Sequence, residues 1–198
     1  MSTSAARLQA ARRIFTAPAP FRFTVAQYYR AAEAGVLGKR RTELIEGEII
    51  AIPPSSPEHS GHVSSLNRKL VRRLPEHYDV RCQLGVRMSD ITEPEPDIAV
   101  VKARADEYTK AHPTPPDTLL LIEVSMSSLA YDLDRKAGLY AKAGIREYWV
   151  LDLKARRLHV FTGPTAEGWR THTILTPREE VKCSTVPELK LKVSELFV

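Results

Sequence analysis

Two carboxylates and a lysine stand at positions from which they can do chemistry together. Asp97 lies in Glu95-Pro96-Asp97, at the head of Ile98-Ala99-Val100-Val101. Glu123 follows the apolar run Leu119-Leu120-Leu121-Ile122. A carboxylate against buried, strand-forming sequence is costly unless something positive sits beside it. If the two strands pair antiparallel, the start of one lies beside the end of the other. Two hard oxygen donors brought together in this way suit Mg²⁺ or Mn²⁺, and the Val124 carbonyl can complete the protein's share. Lys136 lies on the following helical segment, where an ammonium can orient a water or stabilise charge on a phosphorane-like transition state. Asp132 precedes Lys136 by one helical turn, so the two share a face and can pair, either to hold the lysine or as a solvated ion pair.

Other residues are candidates for completing this site. His59 falls on the apolar face of a helical pattern, either as a satisfied core residue or as a group that ligates metal, binds phosphate or assists the base. Glu43 and Glu48 are alternative further carboxylates, and Glu43 is preferred because Glu48 reads as solvent-facing. Gln83 is a candidate for positioning substrate or water. Tyr140, Tyr148 and Trp149 read as core, with Tyr140 close enough to Lys136 to edge the site.

The elements that must position these groups are legible in outline. Thr24 caps a helix through Val25, Tyr28 and Ala32 that Gly35 stops. Residues 43–50 read as two short strands around Glu46-Gly47. From Glu58, the residues Val63, Leu66, Leu70 and Leu74 recur at helical spacing until Pro75. Val80 to Met88 alternates as one half-buried strand. Asp97 opens the next strand, and Leu119–Val124 is apolar on both faces, as a central strand of a covered sheet should be. A helix over Asp132 to Ala143 stops at Gly144. Tyr148–Leu151 and Leu158–Phe161 follow as a strand pair, and a short segment at 194–197 closes the chain. The expected architecture is α/β, a mixed central sheet flanked by helices.

The 198 residues fit one domain over residues 23–198, with a flexible basic arm at residues 1–22. The arm carries Arg7, Arg12, Arg13 and Arg22 and no acid, a composition that also mimics a transit peptide. Lys39-Arg40-Arg41 and the cluster Arg68, Lys69, Arg72 and Arg73 are further basic groups. With a net charge of +5 they are compatible with a polyanionic partner or with solvated faces. Cys82 and Cys183 have no metal-type spacing and read as reduced thiols. No apolar run has the length of a membrane span and no secretory signal is visible, so the expected location is cytoplasmic.

The motifs in order resemble a known family. Pro96-Asp97 followed by Glu123-x-Ser125 is similar to the PD-(D/E)XK nuclease signature with its last position altered. More specifically, residues 24–197 resemble the Uma-type restriction endonucleases of bacteria. The resemblance is carried by Glu43–Glu48, by Pro54-Ser55 with His59, and by Glu95–Ile98. It continues through Ile122–Ser125, Tyr131-Asp132 with Lys136 and Tyr140, and Gly144-Ile145 with Glu147–Asp152. It implies a restriction-endonuclease-like core and Mg²⁺-dependent phosphodiester hydrolysis, with Asp97 and Glu123 as metal ligands. The superfamily's lysine position is Ser125 here, and Lys136 is where this family's pattern has a lysine. The function expected is a metal-dependent endonuclease on double-stranded DNA, possible as a homodimer. The alternatives are a catalytically inactive nucleic-acid-binding module, or a dimeric interaction module, on the same fold.

Overall fold

The computed structural model describes residues 19–198. Most of the predicted arm, including Arg7, Arg12 and Arg13, lies outside the described residues. Arg22 lies within them, and its guanidinium pairs with Glu48 at 2.6 Å and donates to the Glu46 carbonyl.

Helix α1 (Val25–Glu33) begins with a capping box. The Thr24 hydroxyl accepts from the Gln27 N–H, and the Gln27 amide oxygen accepts from the Thr24 N–H. Strands β1 (Thr42–Ile45) and β2 (Glu48–Ala51) form an antiparallel hairpin. Its two turn residues are left-handed, Glu46 at φ 50° and Gly47 at φ 77°, as a two-residue hairpin turn requires. A Cβ at position 47 would also stand 2.6 Å from that of Arg22. Helix α2 (Pro57–Arg73) has Ser56 as N-cap and a proline in its first turn, and it ends before Pro75.

Strands β3 (Tyr78–Cys82), β4 (Ile98–Lys102), β5 (Thr118–Ser125), β6 (Glu147–Asp152), β7 (Arg157–Thr165) and β8 (Gly168–Leu175) form one sheet in chain order. All neighbours are antiparallel except β5 and β6, which run parallel. The crossover between them is helix α3. It is α-helical at Leu129–Tyr131 and Ala137–Lys142 and π-helical at Asp132–Lys136. Strands β9 (Glu180–Lys182) and β10 (Lys190–Lys192) form a separate ribbon, followed by a 3₁₀ turn at Val193–Leu196. The mixed α/β architecture is the one the sequence predicts.

Side chains alternate across the central strands and so build two cores. On one face Ile98, Val100, Leu120, Ile122, Trp149 and Leu151 pack under α2 and the C-terminal ribbon. On the other, Ala99, Val101, Leu121, Tyr148 and Val150 pack against α3 and Ile45 of β1. Two-sided burial explains why every residue of β5 is buried. The same alternation puts Glu123 and Ser125 on the face of Leu121, toward α3.

Two expectations are corrected and one is extended. The predicted strand over Val80–Met88 stops at Cys82, because Gln83 turns left-handed at φ 52° and breaks the pleat. The predicted strand at Leu158–Phe161 is the start of a longer hairpin. Its partner β8 went unseen because Thr171, His172 and Thr173 are exposed and leave no hydrophobic alternation. Asp132 and Lys136 make no ion pair, and each finds other partners.

Candidate active site

A cleft of about 440 Å³ opens where β5 ends, between the first turns of α2 and α3 and beside the β1–β2 hairpin. Its lining includes Asp97, Glu123, Lys136, His59, Glu43 and Gln83. The sheet register accounts for the first two. Ile98 pairs with Ile122, so Asp97 and Glu123 fall at the next rung. There the Asp97 N–H donates to Glu123 Oε2 at 3.3 Å.

Glu123 is 4% exposed. Its Oε1 accepts from Lys136 Nζ and from the Tyr140 hydroxyl, both at 2.9 Å. Lys136 also stands 3.8 Å from Glu43, whose carboxylate accepts from the Glu95 N–H at 3.1 Å. Burial pushes the Glu123 carboxyl up to about 8; Lys136 opposes the rise, while Asp97 and Asp132 add to it. Burial works against the Lys136 ammonium, but Glu123, Glu43 and Asp132 outweigh it and hold the lysine charged. With three acids, Glu123, Glu43 and Asp132, around one lysine, the two directions agree: the lysine is favoured as a cation and Glu123 is favoured protonated. Burial likewise raises Asp132, although the hydroxyls of Ser125 and Ser128 each donate to it at 2.6 Å.

Asp97 is surrounded by donors. Oδ2 meets His59 Nε2 at 3.1 Å and the Val124 N–H at 2.9 Å, and Oδ1 accepts from the Gln83 amide at 3.1 Å. Burial works to raise its carboxyl, yet these contacts together hold it below the usual carboxylate range. The bond to Asp97 in turn raises the His59 imidazole, and the Val124 main chain adds to this. His59 therefore faces the same two groups, Asp97 and Val124, that the sequence proposes for a metal. The α2 cap places it, with the Ser56 hydroxyl accepting from the His59 N–H at 3.2 Å.

Of the two alternative glutamates, Glu43 reaches the cleft. Glu48 does not; it pairs with Arg22 and Arg135 outside the cleft. Tyr140 is both core, at 0% exposure, and a ligand of Glu123. Arg41, at the cleft edge, bonds Glu95 at 2.7 Å and lies 3.5 Å from the Gln83 amide oxygen. Sequence reasoning passed over Arg41 within its basic cluster. It also passed over Glu93, buried away from the cleft, where it accepts from the Tyr29 hydroxyl.

No helix among the described residues is long and apolar enough to cross a membrane. No curated protein matches the chain. Among solved structures, it is similar to "a putative nuclease belonging to DUF820" from Anabaena variabilis, with 20% identity and a TM-score of 0.69. The match covers 88% of this chain and 97% of that one, and at this identity it speaks for the fold. The model of the Uma2 family, described as "Putative restriction endonuclease", matches residues 25–194, and the chain belongs to that family.

Proposed function

We propose that this protein is a divalent-metal-dependent endonuclease that hydrolyses phosphodiester bonds, with double-stranded DNA as its substrate and a homodimer as its working assembly. The observation that carries the reading is one convergence: Lys136 Nζ lies 2.9 Å from one Glu123 oxygen while the Asp97 main chain reaches the other. The donor chemistry fits Mg²⁺. Glu43, Glu123 and Asp132 act on one lysine and Asp97 pairs with His59, so carboxylates outnumber cations in the cleft, a surplus that a metal cation or protons would offset. Mg²⁺ is ordinarily held by one or two carboxylates, with water and substrate phosphate completing its shell. Asp97 and Glu123, with the Val124 carbonyl, would hold it. Among the described residues no group of three or more His, Cys, Asp and Glu is placed to hold a metal ion, so the reading rests on this pair alone. Bound there, the ion supplies Lewis-acid stabilisation of the phosphoryl oxygens and eases deprotonation of water.

The chain's own residues do the remainder. Lys136 has three donors, and Glu123 and Glu43 face two of them, which leaves one for a phosphoryl oxygen. Tyr140 fixes the Glu123 carboxylate from the buried side. Gln83 orients Asp97 from the cleft wall. His59 carries an exchangeable proton beside Asp97 and releases that carboxylate oxygen when a ligand takes its place.

The test is cleavage of plasmid DNA by purified protein with Mg²⁺ or Mn²⁺. Turnover is expected, and Asp97→Ala and Glu123→Ala should each abolish it; cleavage that survives both sinks the site. One observation favours a second reading, a nucleic-acid-binding module without turnover: both Asp97 oxygens already accept protein donors. Salt-sensitive DNA binding with no cleavage in any metal would select it.

A further inference from the structure

We propose that Tyr131 is a substrate-contacting residue whose hydroxyl donates to a phosphate oxygen of the bound nucleic-acid strand; the proposal rests on the nuclease reading above. The chain has seven tyrosines, all among the described residues. The hydroxyls of Tyr28, Tyr29, Tyr78, Tyr108, Tyr140 and Tyr148 each have a hydrogen-bond partner. Tyr131 alone does not, although its hydroxyl is buried. A buried hydroxyl without a partner is uncommon and costly, so it calls for an explanation. Tyr131 lines the cleft that holds Asp97, Glu123 and Lys136.

A second observation points the same way. In an α-helix, residues five apart lie on different sides, since each step turns about 100°. The π-helical segment Asp132–Lys136 changes this: the Ala137 N–H reaches back to the Asp132 carbonyl, a five-residue closure. Residues five apart then lie closer to one side than they would in an α-helix, and Tyr131 and Lys136 both line the cleft. Single π turns recur at functional sites because they redirect side chains in this way. The charges around the hydroxyl are mixed. Glu43 and Asp132 act on it as negative charges, Lys136 and Arg135 as positive ones. The two cations suit an anionic oxygen, and the phenol supplies a neutral donor that carries no desolvation cost of its own charge.

The experiment compares wild type with Tyr131→Phe, which removes only the hydroxyl. Binding of a fluorescein-labelled oligodeoxynucleotide duplex is measured with Ca²⁺ in place of Mg²⁺ to suppress turnover. Loss of one hydrogen bond to a charged oxygen should weaken binding by about tenfold or more. The melting temperature should stay the same or rise, because no protein partner is lost. Equal affinity of the two proteins overturns the proposal and leaves the nuclease reading standing. A fall in melting temperature also overturns it, since the hydroxyl would then serve the fold. Failure of the wild type to bind the duplex overturns the nuclease reading, and this proposal with it.

Discussion

The protonation of Glu123 should control how stability varies with pH in metal-free buffer. Its carboxyl is pushed from an ordinary value of 4.5 up to about 8, first by burial and then by Asp97 and Asp132. Between those values the folded chain keeps a proton that the unfolded chain has lost. The unfolded state therefore binds fewer protons, and stability falls as pH rises. The contribution is fully present below pH 4.5 and is lost as pH climbs through about 8. At about 1.4 kcal/mol per pH unit, the rise from 4.5 to about 8 is worth about 5 kcal/mol at most. Glu123→Gln mimics the protonated acid at nearly the same size and removes the titration. Urea unfolding in EDTA at pH values from about 5 to about 9, roughly one unit apart, measures both proteins. At the acid end they should be similarly stable. Toward the alkaline end the variant should gain on wild type by several kcal/mol, discounted because Lys136 then faces an amide. Parallel curves for the two proteins would refute the placement of the surplus proton on Glu123.

The same cluster yields two shorter predictions. Lys136→Met leaves Glu123 and Glu43 without their cation, and removing one partner of a buried pair costs about 3–5 kcal/mol, read as a lower urea midpoint. Ser125→Ala deletes one of two hydroxyls on the Asp132 carboxylate and should cost about 1.5–3 kcal/mol in the same assay, the range for hydrogen bonds to charged groups.

The core and the rung holding both carboxylates were legible because burial writes itself into periodicity. Residues 119–124 are apolar on both faces and became the buried centre of the sheet. Asp97 and Glu123 were found as polar residues bordering such runs. His59 and Gln83 were only half legible. Helical spacing places His59 near an inward face, but only the cap at Ser56 and the register of β4 bring it to Asp97. Gln83 looked like one polar position of an alternating strand. Its left-handed backbone, which ends β3 and turns its amide to Asp97, leaves no trace in a hydrophobic pattern. Strand β8 was invisible for the opposite reason, since an exposed edge strand needs no apolar face.

The place of Lys136 beside Glu123 follows from geometry that periodicity could not supply. Position 125 shares a face with Glu123, so a lysine there would point to the same side of the sheet. Here that position is 1% exposed and lies directly under α3. A long cationic side chain there would be overpacked against the helix. Serine is small enough to let α3 approach, and its hydroxyl ties Asp132 to the strand at 2.6 Å. That tie holds the first turn of α3 in place, and the π-helical closure that follows carries Lys136 to within 2.9 Å of Glu123. The serine and the lysine are thus parts of one arrangement: Ser125 anchors the helix that brings Lys136 to Glu123. A lysine introduced by Ser125→Lys should therefore fail to rescue Lys136→Met, because it removes the anchor and overfills the interface together. A double variant that recovers cleavage would show that α3 serves only as a carrier of charge.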